Sequence, residues 1–193
     1  MKKALLIFII TLISINTQAQ EIAPSEIKHH EITISEGFFN DVQLFNLVGD
    51  ILGAAITNTY SIRPESYNLF TPSITYRYWF NKYISLGGMV SFDMNTVLLK
   101  KNNEQWERHY RYSPTFACEF QAYYLNTTYV QLFGMVGLGF TINSVSKSDY
   151  PTVQFYNFQI TPFGIRIGKS FGVFCEVGYG YKGFINTGLS YKF

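Results

Sequence analysis

The ten residues Phe184 to Phe193, FINTGLSYKF, decide the fold because they alternate in polarity like a β-strand. One face holds Ile185, Leu189, Tyr191 and Phe193, and the other holds Asn186, Gly188, Ser190 and Lys192. A strand this apolar at the end of the sequence leaves a sheet edge that must be paired or covered. Pairing it with the first strand closes a barrel, which is the architecture we predict.

The rest of the chain supports a barrel, because period-two alternation divides it into strand-length segments separated by turn signals. Including the last, there are eight: 29–39, 67–80, 83–99, 109–124, 128–144, 155–168, 171–181 and 184–193. Most reach the roughly 9 to 11 residues that a tilted strand needs to cross a bilayer. The predicted fold class is therefore all-β, an eight-stranded antiparallel up-and-down transmembrane β-barrel.

Connections between these segments alternate in length. Those at 81–82, 125–127 and 169–170 are tight, whereas those at 40–66, 100–108 and 145–154 are long. Periplasmic turns and longer external loops are typical of outer-membrane barrels, so we expect both termini on the periplasmic side. The last connection, near Lys182, is expected to be external but short.

The first long loop departs from strand alternation between Asp41 and Ile56. Its apolar residues recur at spacings of three and four, and Asn40 or Asp41 can cap the start. We predict a short amphipathic helix in this first extracellular loop. An extended first hairpin is the alternative.

The N-terminal end has the pattern of a secretory signal peptide, expected at residues 1–19, with the barrel domain at 20–193. Lys2 and Lys3 precede an apolar run that ends in the small residues Thr17 and Ala19. The whole chain has 15 basic and 13 acidic residues, and the leader contains two Lys and no acid, which leaves 13 of each. This balance offers no basic face for nucleic acid.

The two faces of the predicted strands differ in the charges they hold. The face with the large apolar residues has no charge across the middle of any strand, and the opposite parity holds Glu31, Arg77, Asp93, Arg111, Glu119, Arg166 and Glu176. An Arg or Lys facing hydrocarbon costs about 2 to 4 kcal/mol at the membrane midplane. We therefore expect these seven side chains to face inward as a salt-bridged network, without an open channel. A soluble lipocalin-like barrel or sandwich would reverse the two faces.

Aromatic side chains, 2 Trp, 15 Tyr and 18 Phe in all, concentrate where strands meet turns. Such rings suit the headgroup level of a membrane. We assign to a lower girdle Tyr76, Tyr78, Trp79, Phe80, Tyr83, Tyr123, Tyr124, Tyr129 and Phe171, and to an upper one Tyr67, Trp106, Tyr110, Tyr150, Phe155, Tyr156 and Tyr181.

Candidates for chemistry are few. Cys118 and Cys175 fall on the apolar parity of strands that are not neighbours, so we expect unpaired, outward-facing thiols, with no metal site and no cofactor. His109 and Ser113 share one strand face near the loops. They are the catalytic candidates for a lipid-modifying enzyme, an alternative to the non-catalytic role that we favour.

The terminus resembles the C-terminal insertion signal of outer-membrane barrels, with Leu189, Tyr191 and Phe193 as its apolar positions. Together with the leader, the strand number and the loop asymmetry, the chain resembles small barrels of the outer membrane protein A and X type. The start at His30 to Ser35, followed by a helical first loop, is most similar to small barrels of Bacteroidota.

This resemblance implies an integral outer-membrane protein that is inserted by the barrel assembly machinery, contacts outer-membrane lipid and is monomeric. It implies a structural or surface-interaction role, with a surface ligand bound by loops 40–66, 100–108 and 145–154. A lipid A deacylase-like enzyme is the second interpretation, and a narrow pore is the third.

Overall fold

The computed structural model describes residues 28–41, 60–66, 70–101, 105–146 and 152–193. These residues form nine strands: β1 (His30–Phe38), β2 (Tyr60–Ser66), β3 (Phe70–Trp79), β4 (Ile84–Lys101), β5 (Glu107–Asn126), β6 (Val130–Val145), β7 (Val153–Gly168), β8 (Phe171–Gly180) and β9 (Ile185–Lys192). Within the described ranges, no helix is long and apolar enough to cross a membrane.

Eight of the strands close into a barrel. Every pairing is antiparallel, and the strands follow the order β1, β3, β4, β5, β6, β7, β8, β9 before returning to β1. The β1–β9 pair runs in unbroken register from Glu31 opposite Lys192 to Phe38 opposite Ile185. The predicted eight-stranded up-and-down barrel is confirmed, and the alternating C-terminal segment is the strand that closes it.

The two ends of the barrel differ. One end, which we call the turn end, has the tight connections at residues 80–83, 127–129 and 169–170. The backbones of His30 and Phe193 also pair there, with N–O distances of 3.1 and 2.9 Å. The opposite end, the loop end, has the longer connections and the short β8–β9 turn.

Strand lengths make the wall uneven in height. β4, β5, β6 and β7 contain 18, 20, 16 and 16 residues, whereas β1, β8 and β9 contain 9, 10 and 8. Because all eight strands of the barrel reach the turn end, the surplus projects at the loop end. A surplus of about eight residues corresponds to roughly 15 to 20 Å of height at a strand tilt near 45°.

Side chains alternate between a buried inner face and an exposed outer face, and β3 follows this alternation through all ten residues. Exposed positions include Ile34 at 61% and Leu138 at 76%, while the polar residues Thr33 and Thr75 are at 1% and 0%. On the eight barrel strands, the outer face has no Lys, Arg, Asp or Glu across its middle, and the carboxylate with outer parity on β1, Glu36, lies toward the loop end. The polarity is therefore inverted relative to a water-soluble barrel.

Register shifts interrupt the alternation. β7 shifts against β8 between Ile160 and Phe163, where Pro162 has no backbone N–H to donate to the ladder. β6 shifts against β7 between Phe133 and Met135, next to this bulge. The outward parity of β7 therefore changes at this bulge, because Ile160 and Phe163 both face outward.

The predicted loop at 40–66 is wrong in its last part, because β2 lies within it and pairs with the loop-end part of β4. The register of that pair shifts between Pro64 and Ser66, and the proline obscures a strand in the sequence. The helix predicted from Asp41 to Ile56 lies outside the described residues beyond its first position, and the leader at 1–19 lies outside them entirely.

Candidate functional site

The barrel lumen is the candidate functional site, because it concentrates the ionisable side chains. The structure buries all seven residues predicted to face inward, Glu31, Arg77, Asp93, Arg111, Glu119, Arg166 and Glu176, at 3% exposure or less. Five of them belong to two clusters, and Asp93 and Arg111 lie above these clusters. Each cluster also contains residues that the sequence interpretation did not assign to the lumen.

The first cluster, which we call the turn-capped cluster, consists of Arg77, Glu119, Glu176, Tyr181 and Lys182. Arg77 Nη2 donates to Glu119 Oε2 at 2.7 Å and lies 4.0 Å from Glu176 Oε1. Lys182 Nζ lies 2.7 Å from Glu119 Oε1 and 3.8 Å from Glu176 Oε2. Two acids thus share two bases, which offsets the cost of burying each charge.

Two members of this cluster come from the β8–β9 turn. Tyr181 and Lys182 are 0% and 2% exposed, although the turn itself is at the loop end. Gly180 and Gly183 have φ angles of +138° and +91°, a region that L side chains rarely adopt, and these two residues bend the turn inward. The assignment of Tyr181 to an upper aromatic girdle is therefore wrong.

Tyr181 also contributes to the electrostatics. Its hydroxyl donates to Glu119 Oε1 at 3.3 Å. Burial, reinforced by the Glu119 carboxylate, raises the pKa of Tyr181 well above its ordinary value. The phenol is therefore neutral at physiological pH and acts as a donor to Glu119.

Inner-face glycines make room for these long side chains. A β-carbon at Gly137 would overlap the Tyr181 hydroxyl, and one at Gly139 would lie 3.0 Å from Tyr181 Cδ1. A β-carbon at Gly87 would lie 2.7 Å from Arg77 Cγ. Gly87 stands opposite both Arg77 and Glu119 in the ladders, so its missing side chain lets the two ions meet across β4.

The second cluster, the strand-built cluster, lies nearer the turn end and consists of Glu31, Trp79, Tyr123, Arg166 and Lys192. Glu31 Oε1 lies 3.4 Å from Arg166 Nε, and Glu31 Oε2 accepts from Trp79 Nε1 at 2.9 Å. The Trp79 and Tyr123 rings stack at 4.4 Å with an interplanar angle of 8°. All five residues lie on strands of the barrel, so no turn is needed to place them.

Lys192 joins this cluster from the final strand. Its Nζ donates to Tyr123 Oη at 2.6 Å and to Gln131 Oε1 at 3.2 Å. It also lies 4.7 Å from the ring centroids of both Trp79 and Tyr123, within cation–π range. Trp79 and Tyr123 are 2% and 7% exposed, so their assignment to a lower membrane girdle is wrong.

Arg166 links the strand-built cluster to the backbone of the turn end. Its guanidinium donates to carbonyl oxygens of the β7–β8 connection and to two side chains: Gly168 O at 3.0 Å, Lys169 O at 3.2 Å, Ser170 O at 3.0 Å, Gln131 Oε1 at 3.1 Å and Ser190 Oγ at 2.5 Å. This fan of donors uses the fixed fork geometry of arginine. The turn and the lumen are thereby fixed together.

Asp93 lies above both clusters, toward the loop end. Asn40 Nδ2 donates to its Oδ2 at 3.1 Å, and Asn95 Nδ2 donates to its Oδ1 at 3.1 Å. Thr71 Oγ1 also donates to Oδ2, at 3.4 Å. Arg111 is buried on β5 opposite Asn95 in the ladder. The seven predicted residues therefore occupy three levels of the lumen.

Sequence parity contains a signal for some of the lumen residues that the prediction missed. Trp79, Tyr123 and Lys192 share the parity of Arg77, Glu119 and Ser190, so the alternation itself places them inside. Tyr181 and Lys182 have no such signal, because alternation ends where a turn begins. Their inward direction depends on the turn geometry.

The two catalytic candidates of the enzyme alternative have different partners. Ser113 is 1% exposed and donates to Asn143 Oδ1 at 3.2 Å. His109 Nε2 lies 3.3 Å from Glu107 Oε2, and His109 Nδ1 lies 3.4 Å from Ser146 Oγ. The shared face thus does not produce a nucleophile and base in contact, and the geometry gives the lipid-modifying alternative no support.

Cys118 and Cys175 are free thiols on the outer faces of β5 and β8, one exposed and one half-buried. In the part of the chain that the structure describes, no group of three His, Cys, Asp or Glu residues is placed to hold a metal ion.

The residues that resemble an insertion signal face outward along β9. Leu189, Tyr191 and Phe193 are 48%, 51% and 48% exposed. The Phe193 ring stacks on His30 of the first strand at 5.4 Å, so the side chains reinforce the backbone pairing at the seam.

No protein-family model matches the chain, and no curated protein matches it. Among solved structures, it is similar to Ail, the attachment invasion locus protein of Yersinia pestis, in complex with the heparin analogue sucrose octasulfate. The identity is 16% over 86% of this chain and 99% of that chain, with a TM-score of 0.39. A second Ail structure gives 17% identity, the same coverage of both chains and a TM-score of 0.33. The assignment of the barrel fold accordingly rests on the strand order and the closed β1–β9 seam.

Proposed function

We propose that this chain is an integral outer-membrane β-barrel with a closed lumen, whose role is structural or surface-interacting through what it displays at the loop end. The observation that carries the proposal is the inverted polarity of the barrel. Large apolar side chains are about half exposed on the outside, while ionisable residues are buried inside. Such an exterior in water would be a far larger apolar patch than monomeric soluble proteins expose.

The outward apolar belt fits hydrocarbon for a second reason. A spanning segment must satisfy its backbone polar groups internally, and a closed barrel does so because it has no unpaired edge within its wall. We infer that outer-membrane lipid surrounds this belt and that the barrel is monomeric. Leu189, Tyr191 and Phe193 are the positions that we infer the barrel assembly machinery reads during insertion.

Orientation follows from the lengths of the connections. We place the turn end and both termini in the periplasm and the loop end outside, with residues 1–19 as the leader that directs export. The tall wall formed by β4 to β7 then projects from the outer surface. Loops 40–66, 100–108 and 145–154 are the segments that we propose contact a surface ligand.

A closed lumen follows from the two clusters. An eight-stranded barrel is just wide enough for its interior side chains to fill it. Here the turn-capped and strand-built clusters cross the lumen at successive levels, and their charges contact opposite charges, hydrogen-bond acceptors or aromatic rings. We therefore propose no open pore. Placement among small barrels of the outer membrane protein A and X type, and among those of Bacteroidota, is our inference from the sequence resemblance.

Membrane insertion is tested by cell fractionation and by gel migration. The chain expressed in a Gram-negative host is expected in the outer-membrane fraction, to need detergent for extraction, and to migrate differently before and after boiling. A mature protein that is soluble without detergent would contradict the proposal.

Orientation and display are tested with epitope tags. A tag inserted at 102–104 or at 147–151 is expected to bind antibody on intact cells, whereas one at the 127–129 turn is expected to bind only after the cells are permeabilised. Closure is tested separately in planar bilayers, where a large, stable conductance from the monomer would contradict the closed lumen.

A further inference from the structure

The turn-capped cluster has the form of a binding site that contains its own ligand. Lys182 does not belong to a strand: its backbone lies in the β8–β9 turn, against Gly37 of β1, and its side chain enters the lumen from there. It meets both oxygens of Glu119, at 2.7 Å from Oε1 and 2.9 Å from Oε2. Glu119 and Glu176 are 0% and 1% exposed, and both belong to the barrel wall.

The walls of this site have contacts besides those with the lysine side chain. Asn186 Nδ2 donates to Glu176 Oε2 at 2.8 Å. Tyr181 Oη and Arg77 Nη2 both donate to Glu119. The Lys182 backbone N–H is held by Gln159 Oε1 at 2.8 Å, and the Gly183 N–H by Gly180 O at 2.9 Å. Both the carboxylates and the turn are therefore positioned by contacts other than the ammonium.

Charge and hydrogen bonding both indicate which ligand fits. Without Lys182, two buried carboxylates share the single charge of Arg77, so the cluster has a net charge of about −1. Glu176 Oε1 has no hydrogen-bond partner in the described part of the chain and lies 4.0 Å from Arg77 Nη2. Acceptors that meet from two directions suit the three donors of a primary ammonium.

We propose that the lumen contains an ammonium-binding site, formed by Glu119 and Glu176, which Lys182 fills in this structure and which accepts a free primary alkylammonium ion when that side chain is shortened. The inference rests on the closed lumen of the proposed function, and it adds a ligand class to it. The Lys182→Ala substitution deletes the three outer carbons and the ammonium of the side chain. The ion that replaces these atoms is n-propylammonium.

The test uses the Lys182→Ala variant of the full barrel, purified in detergent, with thermal unfolding measured at constant ionic strength. The substitution is expected to lower Tm, and n-propylammonium is expected to recover at least half of that fall. Methylammonium and n-hexylammonium should recover less, because one leaves the space empty and the other exceeds it. Each ion is tested both on the folded protein and during refolding, and recovery in either protocol supports the site.

Two matched variants separate binding from general stabilisation. Lys182→Met keeps most of the side chain without its charge, so n-propylammonium should have no effect on its Tm. In the double variant Glu119→Gln with Lys182→Ala, the ion should also have no effect. Where Lys182→Ala does not fold alone, the readout becomes the refolding yield with and without n-propylammonium.

Several results would overturn the site. These are an equal effect of sodium or tetramethylammonium, an effect that persists in the Glu119→Gln background, or no recovery in either protocol. Membrane fractionation of the unsubstituted chain is independent of this experiment, so failure of the ammonium site and failure of the proposed function are distinguishable.

Discussion

The two clusters in the lumen bury charge by different means. The strand-built cluster takes every member from the barrel wall, and it surrounds the Lys192 ammonium with aromatic rings and acceptors. The turn-capped cluster depends on a connection that reaches in from the loop end, and glycines on neighbouring strands clear its space. The comparison shows that the same charge chemistry requires only strand alternation in one case and an accurately folded turn in the other.

The largest loss of stability is expected when Glu119 is removed, because Arg77 and Lys182 both contact its carboxylate. Glu119→Ala leaves Arg77 and Lys182 buried with Glu176 as the remaining acid, so we expect a loss of about 3 to 5 kcal/mol in the free energy of unfolding. The measurement is urea unfolding in lipid vesicles, followed by gel migration. Glu107, which is exposed at the rim, is the control, and Glu107→Ala should change the value by less than about 0.5 kcal/mol. Equal losses in the two variants would show that the turn-capped cluster adds no stability.

The strand-built cluster is tested by Lys192→Met. The variant keeps an apolar stem between Trp79 and Tyr123 but loses the charged hydrogen bonds to Tyr123 and Gln131. We expect a loss of about 1.5 to 3 kcal/mol by the same measurement. Because methionine occupies the space of the lysine stem, as in Lys182→Met, adding n-propylammonium should leave this variant unchanged. A loss no larger than that of Glu107→Ala would show that the charge of Lys192 adds no stability.

The space that Gly137 leaves for Tyr181 is tested by Gly137→Ala, because the new methyl group overlaps the Tyr181 hydroxyl. Overpacking of this kind costs about 1 to 3 kcal/mol. Gly88→Ala is the matched control, because its methyl group meets nothing within 4 Å on the outer face. Combining Gly137→Ala with Tyr181→Phe should recover part of the loss. If Gly88→Ala and Gly137→Ala cost the same, the inserted turn does not occupy the space that Gly137 leaves.

The smallest effect is expected at the rim, outside both clusters. His109→Ala removes contacts with Glu107 and Ser146 on partly exposed side chains, so we expect a change within about 0.5 kcal/mol. Lipid A from cells with the unsubstituted chain, with the variant and without the protein should have the same mass spectrum. A modification that disappears with His109→Ala would restore the enzyme interpretation.

Whether the position of a residue in the fold or in the lumen could be predicted from the sequence depends on whether that residue lies on a strand. Alternation in the last ten residues is enough to predict that the barrel closes. Parity is enough to predict that Arg77 and Glu119 face inward. The same rule places Lys192 and Trp79 in the lumen, but the aromatic residues were grouped by position along the strand instead of by face. The bulge at Pro162 and the strand around Pro64 interrupt the pattern. The inward direction of Lys182 could not be predicted, because sequence periodicity does not describe a turn that bends at two residues with positive φ angles.

The two cysteines are natural labelling sites for following how the barrel inserts into a membrane. Both thiols lie on the outer wall, on strands that are not neighbours, and neither belongs to a lumen cluster. A polarity-sensitive fluorophore attached to either thiol would report the moment at which that side of the wall leaves water for lipid. With the other cysteine replaced by serine, the arrival times of the β5 and β8 sides can be compared. The two thiols thus allow the insertion of two sides of the barrel to be timed separately.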